Sequence, residues 1–206
     1  MQATEKLLSK GRISSEFKSI TDPQQRRAIL SEYSSLLKEH EGTDKILMNH
    51  LKNAILPAVA INRVLPRFGV SETEARKIIR RAILESAKPM GRVFQGLGRV
   101  PGFYSLFKLM CKMSAKTAFG PLGWDMRWLK TKRDEIRWDC HSCFYHDVFS
   151  KYKMPELTPY FCESDDVMYG GIPGIKWGRT KTIGKGAKIC DFYFFRDKKN
   201  LKNKNC

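Results

Sequence analysis

At Trp124 the apolar residues change their spacing, and that change constrains the fold more than any other feature of the chain. Upstream, three sets recur at the three-and-four spacing of a helix face. They are Ala28, Ile29, Tyr33, Leu36 and Leu37; then Ile46, Leu47, Leu51, Ile55, Val59 and Ile61; then Ala75, Ile78, Ile79, Ala82 and Ile83. Downstream, residues 126–130 and 135–140 alternate as strands do, with Ile136, Trp138 and Cys140 pointing one way and Arg137, Asp139 and His141 the other. A helical half followed by an alternating half points to an α+β fold: an N-terminal helical layer packed on a small, mainly antiparallel sheet with two helices.

Local signals place the boundaries. Thr21, Asp22 and Pro23 cap and open a helix over 23–40, and Asp44 caps the next. Pro57 falls inside the almost uniformly apolar stretch 53–60 and should kink or split that helix, because it lacks an N–H and crowds the preceding turn. Ser71 and Glu74 form a capping box for a third helix, expected to stop before Lys88-Pro89. Residues 89–123 are rich in glycine, which suits loops and a mobile cover over a site. Within them Phe103, Leu106, Phe107, Leu109, Met110 and Met113 face Lys108, Lys112 and Lys116 on a short basic amphipathic helix. Such a helix suits an anionic membrane surface; the commoner outcome, expected here, is inward packing.

Further on, the spacing predicts helices over 144–152 and from Pro155 through Cys162 and Asp165. A loop follows at 170–174, then a hairpin pairing 175–183 with 188–196 across Gly184 and Gly186. The expected organisation is a loosely held terminus (1–20), a helical part (21–123), an α/β part carrying the site (124–196) and a basic disordered tail (197–206).

The net charge is +17, distributed as about +1, +11 and +5 over residues 1–45, 46–140 and 141–206. No zinc-finger pairing, RNA-binding aromatic motif or Gly-x-x-Gly clamp accompanies the excess, so we expect no dedicated nucleic-acid partner but a surface that draws in an anionic small molecule. No apolar run is long enough for a transmembrane helix, and the start lacks the order of a secretory signal. The expected setting is cytoplasmic, where the six cysteines stay reduced as free thiols, ligands or catalytic groups. Oligomeric state has no signature in the sequence.

Those cysteines carry the chemistry. Cys140 and Cys143 have the spacing of half a zinc site, which Cys162, Cys190 and His141 would complete, but a second tight pair is missing and no metal or other cofactor is expected. A nucleophilic thiol needs a base or a positive setting. His141 and His146 lie close to Cys143 in sequence. Asp165 follows Cys162 by three residues on one helical face, and Asp191 adjoins Cys190. Arg179 and Thr180 add donors suited to a carboxylate, and Asn53 is the polar exception in the apolar helix.

The stretch 53–60, Cys143 before a short helix, Pro155-Glu156-Leu157, Phe161-Cys162 with Asp165, Arg179-Thr180, Gly186 and Cys190-Asp191-Phe192 together resemble the L-2-amino-thiazoline-4-carboxylic acid hydrolase family. The similarity runs over roughly residues 46–196. It implies a hydrolase that opens a small cyclic amidine or a related C–N bond. Cys143 or Cys162 would add to the amidine carbon, or Asp165 would activate water for the same attack. Asp191 would hold the protonated nitrogen, and Arg179 with Thr180 and Asn53 the rest of the substrate. Ile61-Asn62-Arg63 and Tyr193 depart from the family pattern. The alternative is a non-enzymatic module that binds a small molecule or zinc with the same Cys, Asp and His residues.

Overall fold

A computed structural model describes residues 2–197. In chain order the elements are α1 (Gln2–Leu8), α2 (Ser14–Ser19), α3 (Pro23–Glu39), α4 (Lys45–His50), α5 (Leu56–Val64), α6 (Glu72–Leu97) and α7 (Phe103–Ser114). Then come β1 (Met126–Trp128), β2 (Glu135–Cys140), α8 (Phe144–Lys151), α9 (Thr158–Tyr169), β3 (Ile175–Gly178) and β4 (Cys190–Arg196). The architecture is α+β, helices with one small antiparallel sheet, as the change of period at Trp124 suggests. The tail expected to be disordered lies, beyond Asp197, outside the described residues.

The chain divides into two compact units, residues 1–86 with 145–161 and residues 87–144 with 162–206. The first is helical. Where the sequence reads as a loosely held terminus it has α1 and α2, which bury Leu8, Ile13 and Phe17. Pro57 does not break its helix. A wide π turn, Leu51–Ile55, joins α4 to α5, with the Leu56 N–H reaching back to the Leu51 carbonyl. Such a turn strands carbonyls that need donors. The Tyr33 hydroxyl donates to the Lys52 carbonyl at 2.6 Å, and the Arg12 N–H donates to the Asn53 carbonyl at 2.7 Å. Gly11 allows that approach, since a Cβ there would lie 2.8 Å from the Asn53 oxygen.

Helix α6 runs on through Pro89 instead of stopping before it. Pro89 lies on the exposed side, where water can reach a carbonyl deprived of its helical donor, so the interruption is tolerated. The Glu74 N–H bonds to Ser71 Oγ at 3.2 Å, the expected cap. Gly91 and Gly98, read from sequence as loop residues, serve close packing. A Cβ at Gly91 would meet the Val167 carbonyl of α9 at 2.9 Å, and one at Gly98 would meet Pro173 at 2.8 Å.

In the second unit the strands pair antiparallel in the order β1-β2-β4-β3. The register sets Ile136 opposite Phe194, Trp138 opposite Phe192 and Cys140 opposite Cys190, so these side chains share one face. On that face Phe194 meets Phe107 of α7 at 4.9 Å and Trp177 of β3 at 4.8 Å between ring centroids, and Trp138 stacks on Phe192 at 4.9 Å. Phe94, Phe103, Tyr104, Ile172 and Ile175 complete the core. The link from β3 to β4 is longer than a hairpin turn. It spans 179–189 and includes a short 3₁₀ turn, Ile183–Lys185. Gly178 ends β3 because the Tyr193 ring lies directly over it, where a Cβ would collide.

Candidate functional site

The second unit gathers most of the residues singled out by sequence at one end of its sheet, where β2 finishes and β4 begins. Cys140 and Cys190 face each other there as a cross-strand pair. Cys143 follows β2 and immediately precedes α8, and Cys162 and Asp165 project from α9. Cys162 lies within electrostatic reach of Arg179, Asp165, Cys190 and Cys143. Among the described residues, no three His, Cys, Asp or Glu side chains are placed to hold a metal ion.

Arg179 organises this end. Its side chain is only 4% exposed, yet it carries a full charge and a five-donor fork. Nη1 donates to Asp165 Oδ2 at 2.7 Å and Nη2 to the Cys162 carbonyl at 2.7 Å, with Asp166 Oδ1 at 3.4 Å. The guanidinium also lies over the rings of Trp177 and Phe192, at 5.5 and 5.3 Å from their centroids. Burial works against the charge, but Asp165, Cys162 and Asp166 outweigh it and hold the Arg179 pKa above its ordinary value.

The thiols respond to the same environment. Burial pushes Cys162 up to about 12, although Arg179 pulls it down. Cys190 is raised by burial as well, opposed by the Ile183 N–H, which donates to its sulfur at 3.2 Å. Cys140 is raised too and donates to the Ser142 carbonyl at 3.0 Å. Cys143 is half-buried, as Cys162 is, and immediately precedes α8.

Asp191 lies across the register from Asp139, on the face opposite Cys190. Its carboxylate accepts from the Thr180 N–H at 2.9 Å and the Lys181 N–H at 2.6 Å, and from the Thr180 hydroxyl. Burial alone would raise its pKa, but these donors hold it below the usual carboxylate range. Thr180 and Asp191 therefore form one clasp, next in the chain to Arg179. Asn53 belongs to the first unit, where its amide donates to the Asn49 carbonyl at 3.0 Å and to Asn49 Oδ1 at 2.8 Å. His146 also belongs to the first unit, and His141 is exposed.

Sequence reasoning passed over Asp166, Trp177 and the Ile183 N–H. Asp166 accepts from both Arg179 and the Trp177 indole N–H, the latter at 3.0 Å. The alternation that sets Trp177 and Arg179 on one side of a strand would have signalled the stacking. Nothing in sequence signals a backbone donor to Cys190. Elsewhere in the unit a groove of about 540 Å³ is lined by Lys112, Lys116, Pro121, Trp124, Met126 and Trp128, and none of the candidate thiols lines it.

The profile of the L-2-amino-thiazoline-4-carboxylic acid hydrolase family matches residues 48–194. The chain belongs to that family. The match takes in α5 to β3 whole, half of α4 and most of β4, so every candidate thiol and carboxylate falls inside it. No curated protein matches the chain. Among solved structures, the NMR structure of the H-NOX domain from Shewanella oneidensis in its Fe(II)CO ligation state is 11% identical. The alignment covers 92% of this chain and 99% of that one, at a TM-score of 0.35. A likeness at that level carries no inference about fold or ligand.

Proposed function

We propose that this family member is a hydrolase that opens a C–N bond of a small, anionic cyclic amidine, using Cys143, Cys162, Asp165, Cys190 and Asp191 with Arg179 and Thr180. The observation that carries the reading is the buried Arg179 fork holding Asp165 beside the Cys162 backbone. A charge kept at 4% exposure is costly, and such arrangements concentrate at functional sites.

The thiols divide by their surroundings. A nucleophilic cysteine reacts as thiolate, and burial disfavours that form at Cys162, whose pKa is pushed up to about 12. We therefore assign the attack to Cys143, which immediately precedes α8. Its thiolate adds to the amidine carbon, and the C=N electron pair goes to the ring nitrogen, which takes a proton. Collapse of that adduct breaks the ring C–N bond with the nitrogen leaving as an amine, and water then attacks the same carbon and expels the Cys143 thiolate. A substrate carboxylate competes with Asp165 for the Arg179 fork, and its binding frees Asp165 to act as base. Asp191 and Thr180 fix the turn after Arg179, and Asp191 offers a negative charge to the protonated nitrogen. Cys190 lines the apolar side.

Turnover of L-2-amino-thiazoline-4-carboxylate by the purified chain and by Cys143→Ala, Cys162→Ala and Cys190→Ala tests this, with folding checked by circular dichroism. Cys143→Ala is expected to lose more than about 1,000-fold in kcat/KM and the other two far less. Full turnover in Cys143→Ala would overturn thiol addition at that residue and leave Asp165-activated water. A folded wild-type chain inert toward cyclic amidines would remove the hydrolase reading itself.

A further inference from the structure

The apolar residues left in water are not scattered over the chain. Among the described residues, every large hydrophobic side chain that is exposed lies between Met90 and Leu129. Two helices carry them in stripes. On α6 they are Met90, Val93 and Leu97, and on α7 Leu106, Leu109 and Met113, both with the spacing of a single helix face. Their exposures run from 37% to 55%. Helix α7 does pack inward as expected, through Phe103, Tyr104 and Phe107, while its other apolar stripe is exposed among the described residues. Val100, Leu122, Trp128 and Leu129, also exposed, lie in the segments that flank α7 in the chain. Scattered exposed apolar residues need no explanation, whereas a concentration of this kind marks an interaction surface.

The charge of the same segment says what partner it suits. Residues 87–133 hold ten lysines and arginines against one acid, Asp125, and that acid is paired with Arg127 at 2.6 Å. Lys108 turns toward the Arg133 and Glu135 carbonyls. Lys112 and Lys116 remain exposed, lining the groove with Trp124 and Trp128, and along with Arg92 and Arg99 they have no acidic partner among the described residues. Apolar stripes flanked by unpaired cations, with tryptophan at the edge, have the composition that lies in the headgroup region of a bilayer. A nucleic acid would use the cations and leave Leu106, Leu109 and Met113 in water. No helix of the described residues is long and apolar enough to cross a membrane, so any engagement through helices is peripheral.

We propose that the 90–129 surface docks the protein on anionic lipid bilayers, with the α6 and α7 stripes entering the acyl boundary and Lys112 and Lys116 meeting the headgroups. The inference is independent of the hydrolase reading, and none of these residues belongs to the candidate site.

Sedimentation of the full chain with phosphatidylcholine vesicles, and with phosphatidylcholine–phosphatidylglycerol vesicles, tests it. The chain is expected to pellet with the mixed vesicles only, and less as salt is raised, since each surface cation contributes roughly fivefold to partitioning. The combined variant Leu106→Ser, Leu109→Ser, Met113→Ser changes exposed positions only, and its fold is checked by thermal melting. It is expected to bind at least about tenfold more weakly. Lys112→Glu with Lys116→Glu should fall comparably and flatten the salt dependence. Equal binding to neutral and anionic vesicles would overturn the proposal. So would serine-variant binding as tight as wild type, because the surface would then be only a polyanion attractor. A lipid-free dimer that the serine variant dissociates would overturn it in favour of a second copy of the chain.

Discussion

The π turn of the first unit and the sheet end of the second both hold polar groups in apolar surroundings, and they satisfy them by opposite means. At Leu51–Ile55 the exposed needs are backbone carbonyls, and neutral donors meet them: the Tyr33 hydroxyl and the Arg12 N–H. At the sheet end the need is a buried cation, and Asp165, Asp166 and the Cys162 carbonyl meet it. Neutral satisfaction is what a helix containing Pro57 requires in order to exist. A guanidinium under Trp177 and Phe192 is not required by the sheet, since an apolar side chain of similar volume would fill the space without desolvating an ion. The first arrangement is explained by folding alone. The second carries a desolvation cost that the sheet does not require, which is what supports the proposed use of the charge.

This comparison fails if the two sites respond alike to truncation. The largest effect is expected at Arg179. Arg179→Met takes the guanidinium away from Asp165, Asp166 and the Cys162 carbonyl and should cost about 3 kcal/mol in urea denaturation, discounted from fully buried pairs because Asp165 is 29% exposed. Adding Asp165→Leu should restore part of that loss, since no charge is then stranded. A double variant as unstable as the sum of the singles would mean that Arg179 matters by packing alone.

At the π turn the losses should be smaller and simply local. Gly11→Ala drives a Cβ to within 2.8 Å of a backbone oxygen that cannot swing away, and about 2 kcal/mol is expected. Tyr33→Phe removes the donor to the Lys52 carbonyl and should cost about 1–2 kcal/mol. Neither change should alter catalysis at saturating substrate once the chain is folded. A kcat that falls with Tyr33→Phe in fully folded protein would erase the distinction between the two regions.

How much of this could be read from the sequence follows the range of the interactions involved. Capping at Asp22, Asp44 and Ser71 and the strand alternation around Trp138 are local, and they were legible. The behaviour of both prolines was not, because it depends on what surrounds the helix. Pro57 is accommodated by donors from residues far along the chain, and Pro89 by facing water. At the site, residue types and spacing pointed to Cys162, Asp165, Arg179 and Asp191. They gave no sign that Arg179 already pairs with Asp165, or that Asp191 clasps Thr180 and Lys181. Asp165 lies on α9 and Asp191 on β4, and only the folded chain decides that the first takes Arg179 and the second Thr180 and Lys181.

Asp191 sharpens the comparison from the mildest side, because its donors are neutral although it is itself charged. Its folded pKa is depressed, so its contribution to stability is fully present above the unfolded carboxylate value of about 4 and is lost as pH falls through the folded value. Asp191→Asn should therefore destabilise the chain by about 1 kcal/mol at neutral pH, since an amide accepts more weakly from Thr180 and Lys181. It should also flatten the loss of stability between neutral and acidic pH, measured by thermal melting across that window. If Asp191 acts only as a clasp, the variant keeps KM for an amidine substrate. If it also meets the protonated nitrogen, KM rises while the melting profile changes in the same way. Stability and KM thus separate the two roles, because only the second involves substrate.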